Sequence, residues 1–524
     1  MKSKQGASFI LCSLLLYSTV KMPEGSAKER TMLGEESVES LVKGRNRDSV
    51  DSRTEEFIMK ELVSLREKVD KSATRMSLAQ CLDYGIKRNY QLAAAYATIQ
   101  EYEYKLIGIK RGFYPTLELS SLPPFLGKVK TQSTQSQVTE TPVTVNPNGT
   151  YQYEGVNVLS EEEQEYQQFA PYITLTWSFF QPSLPASISS AKASLEQQRL
   201  AFDVTARSAI LTLQQSYYQL QSSKALIDDF EKIYKINLEQ VKYTEERQKA
   251  GLIDIGSVDQ ARSQLYAQAS QLISYYQSYL TDAADLALAM NAPGDMLIVP
   301  SERFKAIGEW DEPVKETIEN ALKMREEIKE YLESAESSIW SSRAAIRSYL
   351  PELQLQGFAY GYNQKGTTNG LAYNDKYRFG AVGFGVTWEV FDGGVNAASA
   401  SSYLAAAKNA KMQAEYMRQS VKQQIRSAYA TYQTSKIALK NSQLNLDAAT
   451  NSIKVNRARF GVGLANITSI VQAMQLLGEA TQEYNTAILN HNTSIAELYR
   501  YSALWPNNTK AIVDDTKQEL KKDG

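Results

Sequence analysis

Residues able to do chemistry are few and scattered. The chain of 524 residues holds one histidine, His491, and two cysteines, Cys12 and Cys81. His491 falls on a helical pattern with no cysteine or carboxylate cluster beside it. No glycine-rich loop is placed to cradle a phosphate, and no serine has the setting of an activated nucleophile. Neither catalysis nor a bound cofactor or metal is expected. The informative carboxylates sit beside glycines instead. Asp254 and Asp259 flank Ser257 just after Gly251, and Asp392 follows Phe391 and precedes Gly393 and Gly394. Carboxylates in such places cap helices and concentrate negative charge at turns.

The elements that must position these turns come in a repeated order. Arg111-Gly112-Phe113-Tyr114-Pro115 closes a helical pattern and opens T-L-E-L-S; Arg347-Ser348-Tyr349-Leu350-Pro351 does the same before E-L-Q-L-Q. Proline removes a donor and biases its predecessor away from the helix, so each is a helix-to-strand switch. An alternating segment with Trp177 then ends at Phe180, and a second with Trp388 ends at Phe391. Gly251-Leu252 followed by Gln260-Ala261 returns as Gly463-Leu464 followed by Gln472-Ala473, with Ser469 in the place of Ser257. Three landmarks in one order indicate two structural repeats.

Composition narrows the function classes. A formal net charge of -2 with 22% charged residues gives no footprint for nucleic acid. M-K-S-K and the short apolar run F-I-L-C-S-L-L-L-Y-S-T-V have the form of a secretory signal, with Gly25-Ser26-Ala27 as the cleavage region. Cys12 lacks a lipid-attachment context, because Leu11 is bulky and the apolar run continues past it. Removal of the signal leaves Cys81 as a helix-face thiol without an intrachain disulfide partner. Later segments offer no apolar run of transmembrane length, in keeping with a mean hydropathy of -0.39, so a membrane crossing would have to use strands.

Each repeat holds one very long helical pattern, Ala186–Lys249 and Asn396–Phe460, free of proline and glycine and about 100 Å long at 1.5 Å per residue. Ile210, Leu213, Tyr217, Leu220, Ile227, Tyr234, Leu238 and Val241 in the first, and Val421, Ile425, Ala428, Tyr432, Leu439, Leu446, Ala449 and Ile453 in the second, keep the 3-4 spacing of a coiled-coil seam. Shorter helices are predicted over Leu78–Arg111, Ser257–Met290, Val314–Arg347 and Ile467–Tyr501. Two of these end to end match one long helix, and Gly251 and Gly463 provide the tight turns between neighbours. Strands are predicted over Thr116–Leu122, Ile173–Phe179, Glu352–Tyr360 and Gly383–Val390. Their alternation suits a membrane barrel with a wet lumen or a half-buried soluble sandwich. Four strands cannot close a barrel, for which about eight is the minimum, so a barrel would need several chains.

The V-F-D-G-G stretch, the Arg-x-aromatic-x-Pro switches and the Gly-Leu turns followed by Gln-Ala, in duplicated order over about Met76–Leu504, resemble the TolC family of outer-membrane efflux proteins. The resemblance implies a mixed, mainly α fold. Long antiparallel coiled-coil helices would form a trimeric α-barrel in the periplasm, and four strands per chain a 12-stranded transmembrane β-barrel. It further implies a homotrimer in outer-membrane lipid, working with a periplasmic adaptor (membrane fusion) protein and an inner-membrane transporter in tripartite efflux or type I secretion, with passive conduction through the duct. On this reading residues 1–27 are the signal peptide, 28–75 an N-terminal periplasmic segment, 76–293 and 314–504 the repeats, 294–313 a linker and 505–524 a polar tail. Gly251, Asp254, Ser257, Asp259, Gly463, Ser469 and Gln472 become the periplasmic mouth. There three copies of Asp254 and Asp259 would form an acidic ring, while the second-repeat positions Ser469 and Gln472 are neutral. Phe391 to Gly394 becomes the barrel-to-helix turn, and Trp177 and Trp388 become lipid-facing aromatics.

Three places depart from the family pattern. Phe180-Gln181-Pro182-Ser183 replaces the aspartate-glycine turn in the first repeat, with Pro182 expected in the first helical turn. Residues 123–170 form a long Thr-, Gln-, Ser- and Asn-rich segment, expected as an exposed external loop. Thr54–Ser72 carries Ile58, Leu62, Leu65 and Val69 at coiled-coil spacing, as a packed periplasmic helix or a trimerisation aid. The alternative function is a periplasmic or outer-membrane coiled-coil scaffold or adhesin without transport.

Overall fold

The computed structural model describes residues 73–121, 128–293, 296–506 and 509–523, with isolated positions between 60 and 67. The signal segment 1–27 and the apolar positions Ile58, Leu62, Leu65 and Val69 lie outside the described residues. The elements below belong to the compact unit Leu65–Gly524.

The first repeat opens with β1 (Thr74–Met76), α1 (Leu78–Lys87) and α2 (Tyr90–Lys110). The single helix expected over this stretch is broken, because Asn89 leaves the helical region and accepts the Gln91 and Leu92 N–H groups at 2.9 and 3.0 Å, starting a new helix. Then follow β2 (Thr116–Ser121), β3 (Lys128–Val145), β4 (Tyr151–Phe169), β5 (Pro171–Phe180), the 66-residue α3 (Leu184–Lys249) and α4 (Ile255–Ala289). The linker carries β6 (Ile298–Pro300), which pairs in parallel with β1. The second repeat runs α5 (Val314–Met324), α6 (Glu326–Arg347), β7 (Glu352–Thr368), β8 (Leu371–Thr387), the 67-residue α7 (Val395–Gly461) and α8 (Ile467–Ser502). Its first helix is also broken, at Arg325. The expected polar tail folds into α9 (Thr509–Asp523), tied to α3 by the Lys517–Asp203 ion pair at 2.6 Å.

The sheet is a correction to the expected strands and loop. β7 pairs with β8 along its whole length and with β5 over its first half; its second half pairs with β4, from Phe169↔Asn363 to Gln164↔Thr368. β4 and β5 therefore form one track, and β2 and β3 flank it, so the sheet is four strands wide. Within the expected loop, Lys128–Val145 and Tyr151–Phe169 form a β-hairpin continuing this sheet. Residues 151–163 of β4, paired with β3 alone among the described strands, run about 40 Å past the β7–β8 turn at about 3.3 Å per residue. Only the last six residues of β4 gain a ladder on β7, and a pairing with a strand about 200 residues away is not revealed by local composition. The β7–β8 turn uses Asn369 and Gly370 at φ 52° and 80°, the two left-handed residues a tight hairpin requires.

Register assigns each residue to a face. Leu117, Leu175, Gly357 and Val382 form one row and Trp177, Leu355 and Phe384 another, on the apolar face; Thr116, Thr176, Gln356 and Gly383 lie on the opposite face. That second face is polar only near the helices. Farther out it carries Phe358, Tyr360, Tyr377 and Phe379, with Phe358 and Phe379 centroids 5.5 Å apart.

The helices pack as the seams require. On α7 the buried positions Ala400, Ala407, Ala414, Val421, Ala428, Ser435, Ser442 and Ala449 recur every heptad. Their small side chains bring helices close. Val421 and Ile425 are fully buried against Ala321 and Ile328, contributing roughly 1.5–3 kcal/mol per side chain. Leu238, Leu439 and Leu446 lie half-buried at the seam margin. Between α3 and α6, Ser190 and Ser194 share hydrogen bonds with Ser337 at 3.0 and 2.8 Å. His491 is buried on α8, its Nε2 3.2 Å from the Gly308 carbonyl oxygen and its ring against Tyr432. Cys81 is buried in α1, and burial pushes its thiol pKa up to about 12.

Candidate functional sites at the barrel rim and the helical turns

At the helix-to-strand rim the two tryptophans make the same contact. Trp177 donates its indole N–H to the Phe113 carbonyl oxygen at 2.8 Å, and Trp388 donates to that of Tyr349 at 2.9 Å. Both acceptors lie just past the ends of α2 and α6, in the short turns that lead to Pro115 and Pro351, and the indole supplies a donor to each. Trp388 lies just beyond β8, which ends at Thr387, rather than inside the strand predicted to Val390. Trp388 thus sits at the edge of the sheet, and Trp177 lies three residues inside the end of β5.

Asp392 organises the turn into α7. Its carboxylate accepts from the Gly394 N–H at 2.8 Å, the Asn396 N–H at 2.7 Å and the Tyr349 hydroxyl at 2.9 Å. The Asn396 N–H, with Tyr349 and Gly394, holds its pKa below the ordinary aspartate value. Gly393 and Gly394 have φ of 70° and 88°, which disfavours any side chain there. Phe391 is exposed beside them. In the first repeat Ser183 makes no side-chain cap, and α3 starts at Leu184 with Pro185 in its first turn, where the missing N–H costs no hydrogen bond. Pro182 lies in the preceding turn rather than in the helix.

The opposite ends of the long helices match residue for residue. Gly251 and Gly463 have φ of 71° and 80°, and the following Leu252 and Leu464 N–H groups return to the carbonyls of Arg247 and Arg459 at 2.9 and 2.8 Å. Asp254 then caps α4 by accepting from the Ser257 N–H and hydroxyl at 2.9 and 3.1 Å; Asn466 caps α8 by accepting from those of Ser469 at 3.0 and 2.9 Å. Both Ser257 contacts hold the Asp254 carboxyl below its usual range, so it is charged at neutral pH. Asp259 and Gln472 are exposed farther along their helices and take no part in these caps.

Sequence reading missed the contacts that tie the two turns together. Arg247 donates to the Phe460 carbonyl oxygen and lies 4.8 Å over the Phe460 ring, while Thr468 donates to Gln260 at 3.3 Å. Arg262 pairs with Glu245 at 2.6 Å between α3 and α4. The repeated arginine four residues before each glycine was the available signal.

The outer membrane efflux protein family model matches residues 85–292 and 314–503. The chain belongs to this family. The efflux protein's fold is similar to that of the Campylobacter jejuni CmeC outer membrane channel, with 16% identity, a TM-score of 0.64, and coverage of 84% of this chain and 89% of that one. It is also similar to the outer membrane protein VceC of Vibrio cholerae, with 15% identity, a TM-score of 0.60 and coverage of 81% and 95%. A third similar structure is the open state of the Neisseria gonorrhoeae MtrE outer membrane channel, with 15% identity, a TM-score of 0.58 and coverage of 82% and 89%. No curated protein matches by sequence. The efflux protein is thus a non-enzymatic outer-membrane channel component. Among the described residues no helix is long and apolar enough to cross a membrane.

Proposed function

We propose that the efflux protein is the outer-membrane duct of a tripartite export assembly, acting as a homotrimer that passively conducts cargo delivered by an inner-membrane transporter through a periplasmic adaptor protein. The observation that carries this reading is the sheet. It is four strands wide, with Leu117, Val382 and Phe384 exposed on one face and Thr116, Glu118 and Gln356 on the other, and four strands cannot close alone. Three copies reach twelve. Apolar residues left exposed along α7, such as Tyr416 at 70% and Ile437 at 71%, supply the surface for neighbouring protomers.

The turns at Gly251 and Gly463 form the periplasmic mouth and its gate. Long helices are stiff, whereas a few turn residues can change dihedral angles, so closure concentrates where the helices end. Asp254 and Asp259, together with Ser257, Ser469 and Gln472, surround that mouth, and Trp177 and Trp388 face lipid at the inner edge of the barrel. The test is the mass of the protein in mild detergent combined with conductance in planar bilayers. A trimer that conducts supports the duct. A monomer overturns the assembly, and a trimer without conductance favours the scaffold reading.

A further inference from the structure

The apolar face of the sheet is hollow along its middle. Where a lipid-facing surface would ordinarily present bulky side chains, β7 and β8 place Gly357, Ala359, Gly361 and Gly380 on this face. None of these glycines has a positive φ, so backbone conformation does not require them. Glycine within a strand weakens it and marks a place where another group approaches closely. Their absent side chains leave two adjoining hollows of about 400 and 470 Å³, which share Ile173, Ala359 and Gly380. The floor is narrow: a Cβ on Gly357 would come within 3.3 Å of Val382 and 3.6 Å of Leu175. The trough runs away from the helices and ends at Arg378.

Bases mark its upper end. In β7 and β8, Lys365, Lys376 and Arg378 fall on the apolar face and Asp375 on the opposite one. The three bases are exposed and form no ion pair among the described residues. Their height is set by the strand. From Trp388 at the inner rim to Arg378 is ten residues, about 33 Å along the strand and about 25 Å along the membrane normal at the usual tilt, which is the height of a barrel's apolar band. Arg378 therefore stands where hydrocarbon gives way to the outer headgroups.

We propose that this face is a binding site for an acylated glycolipid carrying phosphate, drawn from the external leaflet. An acyl chain lies in the trough over Gly357, Ala359 and Gly380, and Arg378 and Lys376 hold the phosphate. The trough fits an unbranched apolar chain, and the exposed bases above it complement an anion. The site rests on the outer-membrane placement of the sheet.

The test uses the full-length protein in mild detergent, incubated with a bisphosphorylated, multiply acylated glucosamine disaccharide or with phosphatidylcholine, and native mass spectrometry of the retained lipid. The phosphorylated glycolipid should be retained at least about tenfold over phosphatidylcholine, and the Arg378→Glu, Lys376→Glu double variant should lower retention by roughly tenfold to thirtyfold. Ala359→Phe, which fills the trough, should lower it comparably. Gly380→Ala provides a milder filling should the larger side chain prevent assembly. Excess inorganic phosphate should not displace the lipid. Equal retention of both lipids, or retention unchanged by the charge reversal, would overturn the site; displacement by phosphate, or no effect of either filling, would overturn the role of the trough. A conducting trimer that retains no glycolipid refutes this site alone, whereas absence of a wild-type trimer refutes the duct.

Discussion

Arg207 and Glu326 form a buried ion pair that joins the long helix of the first repeat to the broken helix of the second. Glu326 Oε1 accepts from Arg207 Nε at 3.1 Å and from Nη2 at 3.0 Å, and the guanidinium also donates to the Leu504 carbonyl oxygen at 3.0 Å and lies 3.9 Å over Trp505. The Arg207 side chain is 5% exposed. Beside it Arg325, at the break itself, pairs with Glu327, which also accepts from Arg500 at 2.8 Å. Charges taken this far from water hold together only while each keeps its partners.

Removing one member should therefore be worse than removing both. Arg207→Ala or Glu326→Ala is expected to destabilise the chain by roughly 3–5 kcal/mol, whereas Arg207→Met with Glu326→Leu should come much closer to wild type. Thermal dissociation of the detergent-solubilised protein checks this. Equal damage from the single and paired variants would mean that packing, rather than charge, holds the junction.

Acid should loosen the same junction. Burial alone would raise the Glu327 pKa, but Arg325 and Arg500 hold it below the ordinary value of 4.5. A depressed carboxyl contributes stability that is present above its unfolded pKa and is lost as pH falls through the lower folded one. Melting temperature should thus drop as pH is taken from about 5 downward, and Glu327→Gln should be less stable at neutral pH but show a shallower acid limb, as a pH series of melts would measure.

Lipid-face substitutions should follow depth. Phe384 is exposed at 82% on the apolar face, four residues in from Trp388. Phe384→Arg should impair membrane assembly by roughly 2–4 kcal/mol, while Trp388→Arg, at the interface, should cost about 0–1 kcal/mol from the charge itself. Thr387→Arg on the opposite face should be tolerated. Heat-modifiable trimer in outer-membrane fractions reads the difference, and equal damage from Phe384→Arg and Thr387→Arg would show that the strand phase is wrong.

The turns offer a kinetic test of the gate. Asp254→Asn with Asp259→Asn should weaken block by multivalent cations in single-channel recordings, and Ser469→Ala with Gln472→Ala should matter less. Cysteine pairs across adjacent protomers beside these turns, at the exposed Leu252 and Leu464, should stop export on oxidation and restore it on reduction. Unchanged export with the cross-links formed would leave a permanently open duct.

Much of this protein is written locally. The heptad spacing from Ala400 to Ala449, the Asp392-Gly393-Gly394 turn and the Gly251 and Gly463 turns depend on periodicities and backbone conformations set within a few residues, so the sequence alone determines long helices, their ends and the twofold repeat. The tertiary structure decided what depends on partners distant along the chain. β4 joins the sheet because Asn363–Thr368 of β7 pair with its last six residues, and Trp388 is fixed by a carbonyl at Tyr349. α9 is held by Asp203, and Arg207 meets Glu326 only when both repeats have folded. Hydrogen-bond ladders and buried ion pairs form between groups whose separation along the chain carries no local signature, and only packing brings them within reach. The hollow over Gly357 and Gly380 is of the same kind. Each glycine alone reads as a weak strand residue, and register alone lines them up beneath Arg378.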